Sequence, residues 1–154
     1  MINRTRSLEI NATPEALWDI LGRYMHIDEF APFVKSVDAL TDGEDGVGSI
    51  RRNNFENGTT MVEEVIEWQP HRSLRVKGSE FGSLPFREVI ATVSLSPLGK
   101  SRSNAVWTLD FRVKYGPFGW LLGQLVMKRS MGTFLDANLK GLADKARANQ
   151  TATA

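Results

Sequence analysis

Between Val34 and Tyr115 the chain carries six short runs in succession: "VKSVDAL", "GSIRRNNF", "TTMVEEVIEW", "SLRVKGSE", "PFREVIATVSLS" and "RSNAVWTLDFRVKY". They are rich in β-branched and aromatic residues. The segments between them, "TDGEDG", "ENG", "QPHR", "EFGS" and "PLGKS", are built from Gly, Pro, Asp, Asn and other turn formers. Runs and breaks of this kind predict consecutive antiparallel hairpins.

What flanks the runs sets the fold class. "RSLEIN" alternates polar and apolar positions as an amphipathic strand does, and "ATPEALWDIL" follows at once, with Thr13 as N-cap and Pro14 at the first helical position. "YMHIDEFAPFV" carries Pro32 and suits a second short helix or turn. The last element runs from near Pro117 to about Asn149, with Leu121, Leu125, Gly132, Leu135, Leu139 and Leu142 on one helical stripe. The order of strand, two short helices, six strands and long helix predicts an α+β domain in which the C-terminal helix covers a bent antiparallel sheet. A sheet that curves round a helix without touching it everywhere leaves a cavity. Residues 1–149 are expected to form this single domain, and 150–154 a frayed polar tail.

Composition narrows the functions. At 154 residues and 42% hydrophobic the chain supports one sizeable core. Its 19 Lys and Arg against 18 Asp and Glu give a formal charge of +1, with no block of like charge, so no nucleic-acid partner is expected. The absence of Cys excludes disulfides, thiolate nucleophiles and thiolate metal sites. The N-terminus has no apolar stretch of the secretory kind, which predicts a cytoplasmic location. "GWLLGQLVMKRSMGTFL" is the one run that invites a membrane reading, but Lys128 and Arg129 interrupt it well short of a span, so no stable membrane insertion is expected.

Catalytic and metal chemistry find little support. His26 and His71 are the two histidines, the residue type suited to acid-base work; the first sits in the aromatic turn and the second in "QPHRS", a tight turn between strands. Two separated histidines and no Cys give no metal site, and no cofactor is expected. "GEDGVGSI" precedes a strand, whereas a phosphate-cradling loop precedes a helix. Ser130 has no sequence partners for a triad, and no catalytic residue is assigned.

The element order, together with "ATPEALWDIL", "FAPFVKSV", "GVGSIRR", "MVEEVIEWQPHRSLRV" and "NLKGLADKA", resembles the START-like, Bet v 1-like (SRPBCC) superfamily of polyketide cyclases, lipid-transfer proteins and plant abscisic-acid receptors, over roughly Asn3 to Ala148. The resemblance implies a helix-grip fold: a seven-stranded, strongly bent antiparallel sheet wrapped around the C-terminal helix, with an apolar small molecule held between the two. Similarity to the hormone receptors implies pocket positions. "FVKSV" points to Lys35. "VEEVIEW" points to Glu63, whereas alternation alone, with Val62, Ile66 and Trp68 on the more apolar face, turns Glu64 inward. "FLDANLKGLA" and the turns before it point to Ser130, Phe134 and Asn138, four residues apart on one helical face. Arg87, Trp107 and Arg112 complete the implied lining. "ENGTT" and "FGSLP" replace the receptors' gating and latch loops, so hormone sensing and phosphatase partnering do not carry over.

Two functions follow as expectations. One is binding or transport of a small hydrophobic molecule, a lipid, isoprenoid or aromatic polyketide-like compound. The other is a cyclase or dehydratase that works by positioning such a substrate, with Lys35 facing Glu63 across the sheet. A third reading is a protein-interaction module using an apolar face around "GPFGWLLG". The oligomeric state is left open.

Overall fold

The computed structural model describes residues 1–43 and 45–153; Glu44, in the predicted "TDGEDG" loop, and Ala154, in the predicted tail, lie outside the described residues. Seven strands, β1 (Ile2–Ile10), β2 (Val34–Ala39), β3 (Ile50–Phe55), β4 (Thr60–Gln69), β5 (Ser73–Ser79), β6 (Phe86–Leu98) and β7 (Arg102–Val113), form one antiparallel sheet in the order β1-β7-β6-β5-β4-β3-β2. Every strand from β2 to β7 pairs with its neighbour in sequence, as hairpins require, and β1 closes on β7.

Helix α1 (Pro14–Leu21) starts as its sequence predicts: the Ala16 N–H donates to Thr13 Oγ1 at 3.1 Å, and Pro14 occupies the first turn. It buries Leu17, Trp18, Ile20 and Leu21 and sets Trp18 edge-on against Trp68 of β4. A 3-10 segment, Tyr24–Glu29, then leads to β2.

The C-terminal helix is three pieces in line: α2 (Gly116–Leu122), a π-helical turn (Gly123–Met127) and α3 (Lys128–Thr153). It reaches Thr153 rather than stopping near Asn149, and Gln150 Nε2 donates to the Asn11 carbonyl at 2.9 Å. Leu135, Leu139, Leu142 and Ala146 are buried on the sheet. Leu121 and Leu125, expected on the same stripe, are exposed. The π turn closes its hydrogen bonds one residue later and rotates the inward side, so before it and at its first residue that side belongs to Gly119 and Gly123. A Cβ on Gly119 would run into the Lys114 carbonyl, and one on Gly123 into Ile2. The glycines of this stretch serve close backbone approach.

Three strands carry a bulge, between Val34 and Ser36, between Val65 and Glu67, and between Phe86 and Glu88. In each the extra residue, Lys35, Ile66 or Arg87, is exposed. Bulges bend a strand and reverse the phase of its alternation. They bend the sheet around α3, and the space enclosed holds the site.

Candidate functional site

The space between α3 and the concave sheet has two adjoining chambers with shared walls at Met61, Val89, Leu109 and Phe134. The outer chamber measures about 420 Å³ and is almost wholly apolar, bounded by Phe33, Phe55, Leu84, Phe86, Phe111 and Met131 besides the shared wall. Phe134 of α3 stacks on Phe33 with centroids 6.0 Å apart and meets Phe55 edge-on at 6.2 Å, so three aromatic rings frame this chamber. The inner chamber is smaller, about 50 Å³, and its apolar wall includes Leu74, Val76, Ala91, Val93 and Trp107.

The polar groups gather at the inner chamber. Arg51 and Glu63 are 4% and 6% exposed and stand directly opposite one another on β3 and β4. Arg51 Nη2 approaches Glu63 Oε1 at 3.3 Å, and the Asn53 side-chain amide donates to the same oxygen. Arg51 Nη1 donates to the Tyr24 carbonyl at 2.6 Å while the guanidinium lies 3.9 Å from the centre of the Tyr24 ring. The Tyr24 hydroxyl in turn donates to the Glu63 carbonyl at 2.9 Å. A buried carboxylate needs a cation and hydrogen bonds, and this network supplies both. Burial pushes the Tyr24 hydroxyl above its ordinary value of 10.0; Arg51 opposes the rise, and Glu63 and Glu64 add to it.

Asn138 differs from the rest. It is fully buried, it lines the inner chamber from α3, and neither its amide nitrogen nor its carbonyl oxygen has a hydrogen-bond partner in the protein. Leaving a buried polar group unpaired costs about 1–3 kcal/mol. Such groups in a folded chain call for a partner.

The residues singled out in the sequence divide cleanly. Glu63, Trp107, Phe134 and Asn138 line the inner chamber, and Ser130 joins Phe134 on the outer one. Glu64 is exposed: the bulge after Val65 separates Met61, Glu63 and Val65 from Trp68, so counting inward positions back from Trp68 gives the wrong face. Lys35 is the bulged residue of an edge strand, is exposed, and lines neither chamber. The cation facing Glu63 is therefore Arg51 and not Lys35. Arg112 lies five residues from Trp107, an odd step, and so faces away from the cavity; it shares an outer groove with the bulged Arg87. His26 is half-exposed near Glu29, and His71 is an exposed turn residue with φ 67°.

Arg51, Asn53 and Tyr24 were not singled out by sequence. A signal for the first two exists. Pairing outward from the Asn57-Gly58 turn sets Asn54 against Thr60, Asn53 against Met61 and Arg51 against Glu63. Among the described residues no three His, Cys, Asp or Glu side chains gather as metal ligands, and no helix is long and apolar enough to cross a membrane.

The profile of one family, polyketide cyclase/dehydrase and lipid transport, matches residues 1–147. No curated protein matches the chain by sequence. Among solved structures, a Thermus thermophilus protein superposes with a TM-score of 0.79 at 22% identity, covering 96% of this chain and 99% of its own. A START superfamily protein from Mycobacterium smegmatis gives 0.77 at 19% identity, covering 95% and 97%. The Zhui aromatase/cyclase of a Streptomyces species gives 0.72 at 14% identity, covering 95% and 93%. At these identities the shared property is the helix-grip fold.

Proposed function

The chain belongs to the polyketide cyclase/dehydrase and lipid transport family, and on that premise we propose that it binds a small hydrophobic molecule that ends in a hydrogen-bonding group, a ketone or a hydroxyl, between α3 and the sheet. The observation that carries this reading is Asn138, whose amide is buried without a protein partner at the closed end of an apolar cavity. A ligand carbonyl would accept from its nitrogen, and a hydroxyl would also donate to its oxygen. The hydrophobic body would occupy the outer chamber, whose volume of about 420 Å³ falls in the range of small-molecule sites. Most binding energy would come from buried apolar area, and the amide would select for the polar end.

The test compares a medium-chain alkyl ketone with the alkane of equal length, following the methyl resonances of Val89 and Leu109, which wall both chambers. Both probes are expected to shift these signals, the ketone binding more tightly. Asn138→Leu should weaken the ketone about tenfold, the worth of one hydrogen bond, and leave the alkane nearly unchanged. Equal losses for both probes, or unmoved methyls, would overturn the reading.

A second reading, a cyclase or dehydratase acting on polyketide-like substrates, is favoured by the carboxylate of Glu63 at the wall of a mostly apolar cavity and by the fold shared with the Zhui aromatase/cyclase. The cavity would fold the substrate so that its reacting carbons meet, and holding them there lowers the barrier by itself. Glu63→Gln separates the two: a binding protein keeps its ligand affinity with no turnover to lose, whereas a cyclase loses turnover with affinity retained.

A further inference from the structure

Outside the cavity one surface stands unexplained. Phe118, Leu125 and Tyr115 are 70%, 68% and 65% exposed, and Trp120, Leu121 and Val126 beside them are also exposed. They form the outer side of α2 and the π turn, whose opposite side packs inward: a Cβ on Gly123 would meet Ile2 of β1 and Val113 of β7, and one on Gly119 the Lys114 carbonyl just after β7. So many large apolar side chains left exposed within residues 115–126 mark an interaction site.

Charge identifies the occupant. Between Asp110 and Asp136 the chain contains Arg112, Lys114, Lys128 and Arg129 and no acidic residue, so the patch is bracketed by cations at both ends. An open groove of about 210 Å³ beside Trp120 is lined by Arg112 and adds one further cation, Arg87, with Glu88 in register opposite Arg112. Aromatic and aliphatic side chains facing out between basic residues are the pattern of segments that lie in a membrane interface. A second copy of the chain fits less well, because a two-fold contact would bring the same cations face to face.

We infer that the face formed by Tyr115, Phe118, Trp120, Leu121, Leu125 and Val126 docks reversibly onto an anionic lipid bilayer, with Arg87, Arg112, Lys114, Lys128 and Arg129 against the headgroups. Ser130 and Met131, on the outer chamber, follow this face by little more than one helical turn, so docking brings the cavity towards the bilayer. The inference rests on the surface alone and holds whatever the cavity binds.

Co-flotation of the full chain with vesicles tests it, comparing phosphatidylcholine alone with an equimolar mixture of phosphatidylcholine and phosphatidylglycerol. Trp120 is the exposed tryptophan, while Trp18 and Trp107 are buried and Trp68 half-buried, so its insertion should shift the emission to the blue. Binding is expected on the anionic vesicles, with the blue shift, and should weaken with added salt. Phe118→Ser with Leu125→Ser should lower affinity about tenfold or more. Arg87→Gln with Arg112→Gln should lower it about tenfold on anionic vesicles only. All four side chains are exposed, so unchanged circular dichroism is expected of both variants. Asn138→Leu should bind vesicles as the parent does, which keeps failure of the cavity reading separate from failure of this one. The inference is overturned if the chain neither floats nor shifts its emission with anionic vesicles. It is equally overturned if Phe118→Ser with Leu125→Ser binds undiminished, or if Trp120 becomes buried in a lipid-free dimer.

Discussion

Removing one member of the Arg51–Glu63 pair should cost more than removing both. Arg51→Met leaves a buried carboxylate with Asn53 alone, and a loss of about 3–5 kcal/mol in a urea titration is expected. Arg51→Met with Glu63→Leu removes both charges and should recover most of that loss; equal destabilisation of the single and double variants would mean that the pair is not coupled. Tyr24, in the same network, gives a prediction in pH. Its hydroxyl keeps its proton to higher pH folded than unfolded, so its contribution is constant below about pH 10 and is lost above it, as the unfolded chain ionises first. Over that alkaline range stability should fall by about 1.4 kcal/mol per pH unit from this one group. Urea midpoints of Tyr24→Phe should decline less steeply there, and an unchanged slope would contradict the assignment. At this scale sequence showed some residues and hid others for a single physical reason. A period of two identifies a face only while the strand stays regular, and bulges at Lys35, Ile66 and Arg87 put three strands out of step. Glu63 came from resemblance, and Arg51 could have come from counting outward from the Asn57-Gly58 turn.

Elements were the most legible level. The six hairpin strands and α1 lie where composition and turn residues put them, because hairpin punctuation and a Thr-Pro helix start are local signals; β1 begins at Ile2, four residues before the "RSLEIN" that alternation picks out. The long helix was legible as a helix but not in its facing. Its stripe of leucines is real from Leu135 onward, and the π turn breaks the phase before it, an event that apolar spacing does not announce. Glycine carried information that only the packing decodes. Gly141 sits inside α3, where Ala is the better helix former by about 1 kcal/mol. A Cβ at that position would collide with the Phe30 carbonyl, so α3 touches the chain just before β2 through a bare backbone. Gly141→Ala is therefore expected to lower stability by about 1–3 kcal/mol despite its helical advantage. A stabilised variant in thermal or urea unfolding would show that this contact yields easily.

For the whole molecule, the cavity is a property of no single element. It arises because a sheet bent by bulges meets a helix held close at Gly119, Gly123 and Gly141 and kept off by Phe134 in between. Sequence implied its existence through the order of elements and the family resemblance. The division into an apolar outer chamber and a polar inner end depends on which residues β3, β4 and α3 bring together across the sheet. The central claim is that this space holds a hydrophobic molecule with a polar end, and native mass spectrometry of the chain purified from its own host tests it most directly. A bound species of roughly a few hundred daltons, the mass such a volume accommodates, released on denaturation and absent from a variant that fills the chamber such as Met131→Trp, is the predicted result. Bare-chain mass alone, both as purified and after incubation with medium-chain ketones, would contradict it.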